Sequence, residues 1–117
     1  MTISWVLEIL DAELLTGQGA EGRELASACG SDLMSDVLCL RSAPNLLLTA
    51  LTNPQCVRTA EMAEIAAICF VQGKKPPAET LELARRNGLP LLATGLSMFT
   101  ACGRLFAAGL RCCGEGA

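Results

Sequence analysis

Residues 45–71, "NLLLTALTNPQCVRTAEMAEIAAICFV", set the reading of the whole chain. Two apolar runs, "NLLLTAL" (45–51) and "IAAICFV" (65–71), flank about ten residues with helical patterning. Neither run alternates with polar residues. Continuous apolar runs of this length are expected of strands buried on both faces, as in a parallel sheet. Between them, Asn53 sits where an N-cap is expected. Pro54 follows at the first helical position, where its missing N–H costs nothing. On a helix over 54–64, Cys56, Ala60 and Ala63 share a face small enough to approach a sheet closely, while Arg58, Glu61 and Glu64 fall elsewhere.

The pattern continues towards the C-terminus. A helix over 77–87 opens with proline and stops at Asn87-Gly88, a left-handed stop signal. Leu81 and Ala84 face inward, and Glu82 and Arg86 stand four apart on the solvent side. "LPLLAT" (89–94) is a third buried strand, and a helix over 97–108 follows. Strands alternating with helices argue for βαβ units. The expected fold class is α/β, a single compact domain with a mostly parallel sheet flanked by helices. The domain spans 1–110, and 111–117 forms a flexible Cys- and Gly-containing tail.

Upstream the signals are weaker. Residues 2–10 read as a helix capped by Thr2, with Val6, Leu7 and Leu10 on one face. "AELLT" (12–16) reads as a short strand, "GQGAEG" (17–22) as a loop and "RELASA" (23–28) as a second strand. "SDLMSDVL" (31–38) reads as a helix with Ser31 as N-cap and Asp32 complementing its dipole.

Composition narrows the function. The chain has 117 residues, 51% hydrophobic, 3% aromatic and 18% charged, with net charge -3. So few charges imply that some apolar surface is covered by a partner or a second copy. "SMFTACGRLFAAG" (97–109) carries one charge, Arg104, and is apolar almost all round, so this helix is expected at a homodimer interface. Scattered basic residues and scarce aromatics argue against nucleic acid. No apolar stretch is long enough to span a membrane. "MTISWVLEIL" lacks the basic start of a signal peptide, which leaves the cytoplasm as the expected location.

The sequence contains no His, which excludes Ser-His and Cys-His nucleophiles, and it has no P-loop and no GxGxxG. No catalytic residue, cofactor or metal ligand is assigned. The seven cysteines, at 29, 39, 56, 69, 102, 112 and 113, form no CxxC pair. They read as reduced thiols in a cytosolic core, with Cys112 and Cys113 in the tail open to a redox role. Asp32 and Asp36 are one turn apart, compatible with a metal pair or with an N-terminal acid and its solvated neighbour; the second reading is preferred.

Right-handed crossovers bring the connections Thr49–Asn53, Gly73–Lys75 and Thr94–Ser97 to one sheet edge, each leading to a helix N-terminus. The candidate ligand-binding residues are Thr49, Thr52, Asn53, Lys74, Thr94 and Ser97, suited to a phosphate or carboxylate.

"GRELASACGSDLMSDVL" (22–38) and "VRTAEMAEIAAICFVQGKKPPAETLELARRNGLPLLATGLSMFTACGRLFAAGL" (57–110) resemble the DRTGG domain family over residues 3–110. "GRELASACG" keeps Arg23 of the name motif but not its acid or its Thr-Gly-Gly. The resemblance implies a regulatory, non-catalytic α/β domain, often dimeric. Such domains accompany CBS domains in regulated pyrophosphatases, precede some phosphotransacetylases, and are similar to the N-terminal non-kinase domain of HPr kinase/phosphorylases. Short stand-alone forms occur beside iron-only hydrogenases. The expected roles are therefore a sensor of an adenine nucleotide or phosphate-like anion, or a dimeric adaptor docking a partner enzyme such as a hydrogenase.

Overall fold

A computed structural model describes residues 1–37 and 45–112. Six strands form one sheet in the order β1-β5-β4-β3-β2-β6. β1 (Glu13–Thr16) runs antiparallel to β5 (Leu91–Ala93). β2 (Ser27–Gly30), β3 (Asn45–Thr49), β4 (Ala67–Phe70), β5 and β6 (Arg111–Cys112) pair in parallel. The helices are α1 (Ile3–Ile9), α2 (Met34–Val37), α3 (Pro54–Met62), α4 (Ala78–Asn87) and α5 (Met98–Ala107). The α/β class and mostly parallel sheet expected from the sequence are observed.

The apolar runs are continuous because both sheet faces are covered. Every residue of β3, β4 and β5 is buried. Successive side chains go to opposite faces. Leu46, Leu48, Ala67, Cys69 and Leu92 pack with Ile3, Val6 and Leu10 of α1 and Ala101 and Leu105 of α5. Leu47, Ile68, Phe70 and Leu91 pack with Cys56, Val57 and Ala60 of α3 and Ala84 of α4. Buried thiols serve here as small hydrophobes. Burial raises the Cys56 pKa to about 11 and the Cys69 pKa to about 12.

From β2 to β5 the chain steps across the sheet in one direction, with α3 and α4 on one face. It then reverses. α5 carries it back over the opposite face to β6, beyond β2. Crossovers of constant hand require this change of face when direction reverses.

Two local expectations hold: Thr2 accepts from the Trp5 N–H as N-cap of α1, and Gly88 ends α4 with φ 67°. Ser97, expected to bind a ligand, caps α5 by accepting from the Thr100 N–H. Asn53 occupies the N-cap position of α3 but its side chain makes no capping bond. The strand read at 23–28 forms at 27–30, where pairing with β3 fixes its register from Ser27↔Asn45 to Gly30↔Leu48. The helix read at 31–38 begins at Met34, because Asp32 is turned away from the helix to hydrogen-bond with β3. Glu82 and Arg86 are both exposed and form no ion pair. Arg111 and Cys112, read as tail, pair with Ser27 and Ala28. Residue 38 of the early helix, Cys39, Cys113 and the remainder of the tail lie outside the described residues.

Candidate functional site

Register places the three expected loops side by side. Thr49 pairs with Phe70 and Phe70 with Ala93, so β3, β4 and β5 end level on one edge of the sheet. Backbone bonds then weave two of the loops together: the Gln72 N–H donates to Leu96 O and the Gly73 N–H to Thr94 O. The third loop is tied to α4, where the Thr80 hydroxyl donates to Thr52 O at 2.7 Å.

Between β4 and β5 the connections part. β4 leads to α4 on one face and β5 leads to α5 on the other. This divergence is the topological switch point, where open α/β sheets form a ligand crevice. A cavity of about 370 Å³ lies there. Its walls include Asp11, Glu13, Gly73, Lys75, Thr94 and Gly95. The size falls within the range typical of small-molecule sites. Asp11 (φ 50°), Gln72 (φ 63°) and Gly73 (φ 69°) all hold left-handed backbone around it. For Asp11 and Gln72, which carry a Cβ, this conformation is strained, and strained backbone clusters at ligand sites; for Gly73 it is not. Lys75 forms an ion pair with Glu13 across the mouth, with side-chain exposures of 65% and 60%.

The six residues expected to bind a ligand are distributed along this edge. Thr94 lines the cavity, although its hydroxyl donates to Leu10 O at 2.7 Å and accepts from the Leu96 N–H. Thr49 is fully buried two strands away, donating to Asp32. Thr52 and Asn53 stand before α3, and Ser97 is engaged in capping α5. Lys74 is exposed, and the lysine that lines the cavity is its neighbour Lys75. Neither α3 nor α4 has a side-chain cap, so their first-turn N–H groups receive no side-chain acceptor.

Sequence reasoning missed Asp11 and Glu13 as cavity residues and Asp32 as the anchor of the edge; it put both Lys74 and Lys75 at this edge and chose Lys74 as the binding residue, whereas Lys75 lines the cavity. Asp11 and Glu13 reach this edge because β1 is antiparallel, so its start lies beside the ends of the parallel strands. A second hollow, apolar and about 410 Å³, runs between α5 and β2–β6, bordered by Met98, Phe99, Cys102, Phe106 and Arg111. Phe99 is 89% and Phe106 61% exposed, so α5, expected to be buried on more than one side, packs on one side only in this chain. Among the described residues no group of three or more His, Cys, Asp or Glu is placed to hold a metal ion. No described helix is long and apolar enough to cross a membrane.

No family model matches the sequence, and no curated protein matches it. The fold is similar to that of the CBS and DRTGG domains of the regulatory region of Clostridium perfringens pyrophosphatase, solved with its activator diadenosine tetraphosphate. The TM-score is 0.61 at 19% sequence identity, over 86% of this chain and 44% of that one. This chain therefore spans less than half of that regulatory region.

Proposed function

We propose that the chain is a non-catalytic regulatory domain of the DRTGG type that binds a nucleotide or similar small anion at the ends of β3, β4 and β5. The observation that carries the reading is the switch-point cavity with Lys75, Gly73 and Thr94 in its walls. Lys75 supplies the cationic contact. Lys74 and Asn53, both exposed on the same edge, extend the donor surface, together with the N–H groups near Asn53, Lys74 and Ser97. Thr49, Thr52 and Thr94 hold the loops in position through their internal hydrogen bonds. Further support comes from the nucleotide activator of the pyrophosphatase regulatory region with a similar fold. The absence of His from the sequence and its buried thiols fit a non-catalytic protein of the cytoplasm. The test is thermal shift and calorimetry with AMP, ADP, ATP and phosphate. A rise in melting temperature with at least one is expected; no stabilisation at millimolar concentration overturns the reading.

A second reading rests on a separate observation. The exposed Phe99 and Phe106 beside an apolar hollow make α5 an association face, for a second copy or for a partner enzyme. Sedimentation velocity at micromolar concentration is expected to show a dimer, and a monomer would remove the self-association version.

A further inference from the structure

The switch-point cavity carries an unusual charge arrangement for an anion site. Lys75 is the cation in its wall, and Asp11 and Glu13 are carboxylates in the same wall. One of the three donors of the Lys75 ammonium is already directed to Glu13. An incoming phosphate must displace the Glu13 carboxylate or share the ammonium with it. Both options bring like charges together, and the cost rises with each negative charge the ligand carries.

We infer that Glu13 is a built-in competitor for Lys75, which sets the cavity to favour a singly phosphorylated ligand over a polyphosphate. This inference rests on the proposed anion-binding role and adds a specificity-determining residue to it. The pair is well over half exposed, so the ion pair is weak and readily opened. Glu13 therefore acts as a graded filter on ligand charge and does not close the site. Its position explains how it reaches Lys75. β1 is the antiparallel edge strand, and Glu13 at its start stands opposite Ala93, where β5 ends.

The experiment compares the wild type with Glu13→Gln, Lys75→Met, the Glu13→Gln/Lys75→Met double variant and Glu82→Gln. The last makes the same change in net charge at an exposed position on α4, outside the cavity. Kd values for AMP, ADP and ATP are measured by calorimetry at low ionic strength, where exposed charges are least screened. Glu13→Gln is expected to tighten ATP by up to about fivefold, the range of an exposed ion pair, and AMP by less. Lys75→Met should weaken all three, and in its background Glu13→Gln should have a smaller effect, because competition for the ammonium is gone and only direct repulsion by the carboxylate remains. An unchanged ATP-to-AMP ratio in Glu13→Gln overturns the inference while leaving the binding role intact. An equal gain in Glu82→Gln also overturns it, because net charge would then account for the effect. If no ligand binds any of the five proteins, the binding role itself fails and the inference falls with it.

Discussion

The Thr49 hydroxyl and the Ala50 N–H both donate to one carboxylate oxygen of Asp32, each at 2.8 Å. One acid from the β2–α2 connection thus fastens the end of β3. Hydrogen bonds to a charged acceptor are stronger than neutral ones. Asp32→Ala leaves the buried Thr49 hydroxyl without its acceptor and should cost about 1–2 kcal/mol in urea unfolding. Asp32→Asn retains an acceptor oxygen and should cost less. Equal losses in the two variants would mean that the bond is not what Asp32 contributes.

Gly30 lies under two sulfur atoms. A Cβ built there would stand 2.8 Å from Met98 Sδ and 2.9 Å from Cys102 Sγ. Met98 is long and can withdraw into the neighbouring hollow, whereas the Cys102 sulfur, one bond from its Cβ, can move only by changing rotamer. Gly30→Ala should therefore destabilise by about 1–3 kcal/mol, the cost of overpacking. Cys102→Ala in the same protein should recover part of it, giving a coupling measurable in a double-mutant cycle. Additive losses would show that the crowding lies elsewhere.

The buried thiols predict weakness in alkali. An unfolded thiol ionises near its ordinary value of 9.0, while burial pushes Cys56 up to about 11 and Cys69 up to about 12 in the folded chain. Above about pH 9 the unfolded chain releases protons that the native state retains. Stability contributed at neutral pH is then lost at up to about 1.4 kcal/mol per pH unit per thiol. Cys69→Ala should flatten the dependence measured between about pH 9 and about pH 11 by that one-thiol share. An unchanged slope would mean that Cys69 is accessible to solvent.

Phe99→Ser removes a ring that is 89% exposed, and Phe106→Ser removes a 61% exposed ring over which the Arg111 guanidinium lies at 5.9 Å. Phe99→Ser should alter stability by no more than about 0.5 kcal/mol, and Phe106→Ser should cost up to about 1 kcal/mol through loss of the Arg111 contact. If α5 is an association face, the double variant should sediment as a monomer at concentrations where the wild type does not. Unfolding of either single variant would contradict the exposure of these side chains.

The central part of the fold was legible because its signals are local. Runs such as "NLLLT" and "AICF" are apolar on both faces, and Asn87-Gly88 stops a helix by backbone geometry alone. β2 was misplaced by a few residues because its register depends on β3, not on its own composition. Arg111 and Cys112 gave no signal, since a two-residue strand has no period. The site was legible only as an edge. Which of two adjacent lysines lines the cavity depends on a left-handed turn at Gln72 and Gly73 just before them. That Asp11 and Glu13 reach the cavity depends on the placement of β1, paired with β5 about 75 residues later in the chain.

That distance in sequence has a consequence for biosynthesis. The cavity has one wall from residues 11–13 and the others from residues 73–95. Thr16 is bonded to Leu89 and Leu91, and Thr94 to Leu10, so the early segment is held by groups made much later. While the protein is being translated, α1 can bond to residues 21–25 early, but β1 must wait, unpaired, until β5 emerges. The cavity is thus among the last features of the molecule to come into being, and a ligand seated in it would select for chains whose two distant parts have already met.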